Sequence, residues 1–230
     1  MASEHLAKYF EDELKRLNSL ISRMGGLAEA QLADAIRAVT ERDSELAAEV
    51  VRGDPKVDDL EREIDDLALR ILALRQPMAV DLRAILSALK ISAELERIAD
   101  YAANVAKRSI ALNQVAPIRP VAAIPRMGQV VKEMIKDVLD AYVNADVDKA
   151  VRVWSRDEEL DEMYSRLFRE LLTYMMEDPR NITASTHLLF IAKNIERIGD
   201  HATNIAEIVH YEITGEEMIS ARPKTDALQV

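Results

Sequence analysis

Residues 91–106 read ISAELERIADYAANVA, and residues 191–206 read IAKNIERIGDHATNIA, at a constant offset of 100 residues. Eight of the sixteen paired positions are identical. Apolar identities arise whenever two helices solve the same packing problem, but packing rarely dictates four identical polar side chains. The shared polar residues are Glu96/Glu196, Arg97/Arg197, Asp100/Asp200 and Asn104/Asn204. The repeat therefore predicts two copies of one structural unit, each with an acidic site.

The composition is typical of long amphipathic helices. Hydrophobic residues make up 49% of the 230 residues and charged residues 31%, whereas Gly and Pro number only 6 and 7. Cysteine is absent, which excludes disulfides and thiolate metal ligands and suits a reducing cytoplasm. The net charge of −11 disfavours nucleic acid as a partner and suits cation binding. No apolar run approaches the roughly 20 residues of a membrane span, and the charged N-terminus lacks a signal-peptide core.

Apolar residues recur at helical spacing along most of the chain. The pattern predicts a first helix from His5 past Arg37, weakened at Gly25-Gly26, and a short continuation capped by Ser44. Further helices are predicted at about 57–75, 80–113, 126–144, 146–176 and 184–214.

Three prolines fall between the two halves of this pattern, at Pro117, Pro120 and Pro125. Because proline cannot continue a helix, we expect residues 114–125 to form a linker. The predicted organisation is a three-helix bundle at 5–113, this linker, a second three-helix bundle at 126–214 and a polar tail at 215–230. The predicted fold is therefore all-α, with two tandem bundles of three helices.

A helical wheel separates apolar from acidic residues on the repeated helix. Ile91, Leu95 and Ile98 point into the bundle, and Glu96 and Asp100 fall on the opposite face. The wheel gives Glu196 and Asp200 the same places, so we expect all four carboxylates outside the core.

The preceding helix of each half also carries acidic residues four apart, at Glu61/Asp65 and Asp157/Asp161. If the two helices of a half are neighbours, four carboxylates converge in one shallow groove. Oxygen ligands of this kind suit Mg²⁺, Mn²⁺, Ca²⁺ or iron, and zinc is less natural without Cys or clustered His. The alternative is that these acids are ordinary solvated faces of amphipathic helices.

Motifs for common enzyme classes are missing. The sequence has no P-loop, no G-x-G-x-x-G, no G-x-S-x-G and no H-E-x-x-H. Neither Glu96 nor Glu196 is followed three residues later by His, as a ferritin-like di-iron site requires. We therefore expect a protein that is not an enzyme.

The whole pattern resembles the PhoU family of phosphate-uptake regulatory proteins, which are built from two three-helix repeats. The resemblance covers about residues 5–214 and is carried by RQPMAVDLRAILSALKISAELERIADYAANVAK at 75–107 and HLLFIAKNIERIGDHATNIAE at 187–207. The family signature is a pair of acidic E(D)-x-x-x-D motifs in each repeat. This sequence meets the signature at Glu96/Asp100, Glu196/Asp200, Glu61/Asp65 and Asp157/Asp161.

The resemblance implies six helices, a homodimer and surface clusters of iron, zinc, manganese or magnesium ions. It also implies a cytoplasmic adaptor between the ATPase subunit of a phosphate-specific ABC transporter and a sensor histidine kinase. Such an adaptor meets the membrane only through its partners. It is a negative regulator that represses the phosphate-starvation response when phosphate is plentiful.

Two positions depart from the repeated pattern. Ala99 stands where the family motif and Gly199 have glycine, and Ser165 stands at the equivalent of Asp65. The second site is therefore expected to bind fewer ions or to bind them differently. Two alternatives stay open: a purely structural helical adaptor without metal, and a metal-dependent enzyme built on a bundle of carboxylates.

Overall fold

The computed structural model describes residues 2–218, with side chains from residue 9 onwards. Within that range the chain forms eight α-helices and two 3-10 helices, Arg119–Ala123 and Pro179–Asn181, and no strand. The α-helices are α1 (Ala2–Glu41), α2 (Ser44–Gly53), α3 (Pro55–Arg75), α4 (Val80–Leu112), α5 (Ile124–Asn144), α6 (Val147–Trp154), α7 (Asp157–Glu177) and α8 (Ile182–Thr214). The predicted all-α fold with three long helices in each half is confirmed, and α2 and α6 are short additions to it.

Each short helix begins at an aspartate that caps it. The Asp43 side chain accepts hydrogen bonds from the backbone N–H groups of Glu45 and Leu46, at 3.0 and 2.9 Å. In the second half the Asp146 side chain accepts from the N–H of Lys149 at 2.9 Å. The predicted cap at Ser44 was therefore wrong by one residue, since Ser44 is the first residue of α2 and Asp43 is its cap.

The predicted single helix at 146–176 is also wrong, because the chain breaks between α6 and α7 at Ser155 and Arg156. The Ser155 hydroxyl donates to the Val151 carbonyl at 3.0 Å, a local bond that competes with the helical ladder. The first half breaks at the equivalent place, between α2 and α3, where the sequence Gly53-Asp54-Pro55 predicts a turn. No glycine or proline marks the break in the second half.

Two other details concern the first half and the linker. Helix α1 passes Gly25-Gly26 without interruption, and a Cβ at Gly25 would lie 2.6 Å from the Leu139 methyl carbons. Gly25 thus allows α5 to approach α1 closely. Helix α5 starts at Ile124, inside the predicted linker, because Pro125 occupies the first turn, where its missing N–H is harmless.

Helices α4 and α8 are the centre of the fold. They pack against each other more extensively than any other pair of described helices, and they run antiparallel, since Glu94 contacts Asn204 while Arg108 contacts Phe190. We call residues 100 positions apart equivalent. The equivalent residues Tyr101 and His201 stack on each other, with ring centroids 5.4 Å apart, so a pseudo-twofold axis passes between them.

One continuous core joins the two halves. Helix α4 also packs against α1, α2 and α3, and α8 packs against α5, α6 and α7, while α1 contacts α5 across the halves. Gly215 ends α8 with a φ of 76°, and its N–H donates to the Tyr211 carbonyl. The predicted tail lies outside the described residues beyond Met218. No described helix combines the length and apolarity needed to cross a bilayer.

Candidate functional site

The first acidic cluster lies where α3 packs against α4. Its members are Asp58, Glu61, Asp65, Glu96 and Asp100. The apolar stripe of α3, through Leu60 and Ile64, is buried against the core and turns these acids towards the neighbouring face of α4. Asp65 and Asp100 are exposed, whereas the other three carboxylates are partly buried. The structure thus brings together the four predicted residues of the first half and adds Asp58.

Negative charge accumulates in the first acidic cluster. Burial, followed by repulsion from Asp100 and Glu61, raises the pKa of Glu96 to about 7. Burial and repulsion from Asp65 likewise raise the pKa of Glu61. Among the described residues the nearest cation is Arg97, whose Nε lies 3.8 Å from Glu96 Oε2 and whose side chain is 62% exposed. This distant, solvated guanidinium offsets little of the repulsion.

The second acidic cluster lies between α7 and α8, and we define it as Asp161, Glu196 and Asp200. Its centre is occupied by a lysine, because Lys193 Nζ donates to Glu196 Oε1 at 2.6 Å. Burial raises the pKa of Glu196. The negative charges of Asp200 and Asp161 also raise it, whereas Lys193 lowers it. The position equivalent to Lys193 is Ala93, so the first acidic cluster has no corresponding ammonium group.

The expectation that Glu196 lies outside the core is wrong. Glu196 is 8% exposed, and its Oε2 is buried with no hydrogen-bond partner among the described residues. The wheel placed it on a free face, but α8 is covered by α4, α5, α6 and α7, so little of its surface stays free. Glu96 is half-buried for the same reason, with α3 alongside, and only Asp100 is fully on the surface.

Asp157 is placed differently from the other predicted ligands. It is 2% exposed in the first turn of α7, and its equivalent is the core residue Val57. An aspartate in the first turn interacts favourably with the helix dipole, which offsets part of the cost of a carboxylate at this buried position. Ser165 stands where Asp65 stands in the first half, so the two clusters differ in both number and exposure of carboxylates.

The donor chemistry of the first acidic cluster fits a divalent cation. Carboxylate oxygens are the ligands that Mg²⁺, Mn²⁺ and Ca²⁺ prefer, and a cation would relieve the repulsion at Glu96. In the described part of the chain, no group of three or more His, Cys, Asp or Glu is arranged to hold an ion as it stands. Binding of an ion would therefore require these carboxylate side chains to rearrange. The second acidic cluster fits less well, since Lys193 already neutralises Glu196.

Three further side chains of α6 and α8 contact other residues of the protein. His201 Nδ1 lies 2.6 Å from Glu94 Oε2, in the seam between α4 and α8. Arg197 donates to the Tyr101 hydroxyl at 2.9 Å. Trp154 is buried, and its indole N–H donates to Glu207 at 3.0 Å.

The comparison with known families decides which family this architecture represents. The model of the PhoU domain matches the chain twice, at residues 21–109 and 124–209. The chain belongs to the PhoU family.

Relatives of PhoU type match over nearly the full length. The phosphate-specific transport system accessory protein PhoU homolog of Caulobacter vibrioides is 56% identical over 98% of this chain and 99% of that protein. The corresponding protein of Rhizobium meliloti is 49% identical over 98% of this chain and 96% of its own. The crystal structure of PhoU from Pseudomonas aeruginosa aligns with a TM-score of 0.87 and 42% identity, covering 90% of this chain and 100% of that one.

PhoU proteins are accessory and regulatory proteins and not enzymes. The expectation of a non-enzymatic protein is therefore confirmed. The family also confirms the resemblance on which the sequence interpretation relied.

Sequence reasoning missed three charged residues of this PhoU protein. Glu94 is held by His201 and Asn204, Lys193 occupies the second acidic cluster, and Glu212 is partly buried near Ser87. The partners of Glu94 lie more than 100 residues away, so no local pattern reveals them. The comparison of Lys193 with Ala93 was available in the sequence and, like that of Ser165 with Asp65, distinguishes the two clusters.

Proposed function

We propose that this protein is a cytoplasmic adaptor that links a phosphate-specific ABC transporter to a sensor histidine kinase. It represses the phosphate-starvation response when phosphate is plentiful. Support comes from full-length relatives whose names place them in the phosphate-specific transport system, such as the protein of Caulobacter vibrioides. The fold suits this role, since a rigid bundle with one continuous core presents several helix faces at once.

The first acidic cluster is the proposed metal site of this adaptor. The observation that carries the proposal is that α3 and α4 bring five carboxylates to one face while no lysine among the described side chains bridges them. A bound divalent ion would supply positive charge between the two helices. Glu61, Asp65, Glu96 and Asp100 would hold it, and Asp58 would add to the negative potential that attracts it.

The predicted residues of the second half form a weaker proposal. Asp161 and Asp200 can reach a surface ion, whereas Glu196 already accepts from Lys193 and Asp157 is buried. The Lys193 ammonium favours a second candidate for this half alone, a structural ion pair that needs no metal. The adaptor would then carry metal in one half only.

Exposed apolar side chains at the turn between α3 and α4 favour protein docking. Leu74, Met78 and Val80 are 66%, 80% and 62% exposed. Monomeric proteins seldom leave several large apolar side chains together in water unless a partner covers them. We assign this turn to the docking of the transporter ATPase subunit.

We also expect the free protein to form a homodimer. Light scattering of the purified protein will test this oligomeric state.

Recovery of partners from cells tests the adaptor. The tagged protein is expected to co-purify with the transporter ATPase subunit and a histidine kinase, with recovery that differs between high and low phosphate. The variant with Met78→Ser and Val80→Ser should lose the ATPase subunit, and Met176→Ser, at the opposite hairpin, is the matched control. Recovery of neither partner at either phosphate level would refute the adaptor.

Metal analysis of protein purified without a histidine tag tests the metal site. The parent protein is expected to retain divalent metal, and Asp100→Ala together with Asp200→Ala is expected to lose it. Unchanged metal content in this double variant would refute the site. The remaining alternative would then be a structural adaptor whose acids are solvated.

A further inference from the structure

A cleft of about 460 Å³ opens between α4 and α8, and no member of either acidic cluster lines it. Its volume lies within the roughly 300–1,000 Å³ typical of small-molecule sites. Apart from Ala111, the lining side chains are polar, basic or aromatic, and none is a carboxylate. The principal ones are Asn104, Lys107, Arg108, His187, Phe190 and Asn194.

The cleft is a cationic site on an acidic protein. Lys107 and Arg108 form no ion pair with any described carboxylate, although the chain carries a net charge of −11. The Arg108 guanidinium instead lies over the Phe190 ring, 4.4 Å from its centroid. His187 adds a buried Nδ1 without a hydrogen-bond partner in the described part of the chain. Uncompensated cations and an unsatisfied polar atom in one cleft favour an anionic ligand.

The pseudo-twofold axis supplies an independent argument. The carboxylate of Glu94 lies at the other end of the α4–α8 seam. Asn204 donates a hydrogen bond to Glu94 Oε2 at 2.9 Å, and His201 Nδ1 lies 2.6 Å from the same oxygen. The residues equivalent to Glu94 and Asn204 are Asn194 and Asn104, and both line the cleft. One end of the seam thus has the Glu94 carboxylate beside Asn204. The cleft end has Asn104 at the position equivalent to Asn204, but Asn194 replaces the carboxylate.

We propose that this cleft binds a small organic phosphate, whose phosphoryl group takes the place that Glu94 holds at the equivalent end. Lys107 and Arg108 supply charge, and the amides of Asn104 and Asn194 supply hydrogen-bond donors. The cleft exceeds the size of inorganic phosphate, and Phe190 offers an apolar surface to the organic part. This inference goes beyond the adaptor role and is independent of the metal site.

Calorimetric titration of the full chain with adenosine monophosphate, ribose 5-phosphate and inorganic phosphate tests the proposal. At least one organic phosphate is expected to bind at least tenfold more tightly than inorganic phosphate. Tighter binding of the nucleotide than of ribose 5-phosphate would assign Phe190 to the base, and equal binding would assign it to the sugar. Equal affinity for all three probes, or no binding by any of them, would overturn the proposal.

Three variants locate the binding. Arg108→Gln is expected to weaken binding at least tenfold, whereas Lys90→Gln, at the other end of α4, should change it less than twofold. Asn194→Glu gives the cleft the carboxylate of its equivalent end and is expected to abolish binding with the thermal midpoint retained. Equal losses in Arg108→Gln and Lys90→Gln, or full binding by a folded Asn194→Glu protein, would show that the cleft is not the site.

Discussion

The two acidic clusters carry the same motif, but they are electrostatically different. In the first, Glu96 is surrounded by carboxylates and its pKa rises to about 7, with a solvated arginine as the nearest cation. In the second, Glu196 is more deeply buried and is paired with Lys193 at 2.6 Å. The decisive differences, Lys193 against Ala93 and Ser165 against Asp65, lie outside the shared motif. A repeated motif therefore does not guarantee a repeated site.

Removal of the charges of one cluster at a time should separate the two most strongly. Glu96→Gln with Asp100→Asn is expected to weaken Mn²⁺ binding about 100-fold, equivalent to about 2.7 kcal/mol, because it removes central ligands of the uncompensated cluster. Glu196→Gln with Asp200→Asn should weaken it by less than about threefold. Titration of the metal-free proteins with Mn²⁺, followed by electron paramagnetic resonance, measures both values.

Equal losses in the two double variants would contradict the electrostatic distinction between the clusters. Each variant replaces carboxylates by amides of the same shape, so packing is preserved. The thermal midpoint of each metal-free protein serves as the control for folding.

The sequence predicted the long helices well because their apolar stripes are regular. Ile91, Leu95 and Ile98 are all buried, as the wheel required. The sequence could not predict the break at Ser155, where a single hydroxyl replaces the usual glycine or proline. It also misplaced Glu196, because a wheel shows one seam while α8 has neighbours on several sides. Side-chain contacts such as Glu94 with His201 depend on the pairing of distant helices and have no local signal.

A second difference between the halves concerns Glu212, which is equivalent to the core residue Leu112. Burial raises the pKa of Glu212 from 4.5 to about 7, and its Oε2 is buried without a partner among the described residues. The folded protein therefore binds the Glu212 proton more tightly than the unfolded chain does. The stability from this proton is full below about pH 4.5 and is lost as the pH rises through about 7.

Glu212→Gln should remove this pH dependence. At pH 8 the variant is expected to be more stable than the parent by about 2 kcal/mol, since a tenfold change in proton affinity is worth about 1.4 kcal/mol and residual water contact reduces the full value. At pH 4.5 the two should be equally stable. Urea unfolding at both pH values measures the difference, and a variant that is less stable at pH 8 would refute the assignment.

Single substitutions at positions 93 and 193 test directly whether Lys193 neutralises the negative charge of Glu196. Lys193→Met keeps most of the apolar stem near Tyr164 but leaves Glu196 without its donor. We expect a loss of about 1–2 kcal/mol in the free energy of unfolding at pH 8. Ala93 is exposed, so Ala93→Lys should change stability by less than about 0.5 kcal/mol.

The substitution at position 93 should also change metal binding. Ala93→Lys introduces an ammonium three residues before Glu96 and is expected to weaken Mn²⁺ binding to the first acidic cluster about tenfold. Ala93→Gln, which adds length without charge, is the matched control. If the lysine and glutamine variants bind Mn²⁺ equally, the missing ammonium does not explain the difference between the clusters.

The smallest expected difference lies at the paired positions Ala99 and Gly199. A Cβ at Gly199 would collide with the Cδ2 atom of Leu160, which is fully buried, whereas Ala99 is accommodated in the first half. Gly199→Ala is expected to destabilise the protein by about 1 kcal/mol, because overpacking of about 1–3 kcal/mol exceeds the helical gain of about 1 kcal/mol. In the Leu160→Ala background the same substitution should stabilise by about 1 kcal/mol, since the collision is gone and the helical gain remains. A thermodynamic cycle of the four proteins by urea unfolding measures this coupling. If the two substitutions are not coupled, the Leu160 side chain can change rotamer without cost and the contact between α7 and α8 does not need glycine at position 199.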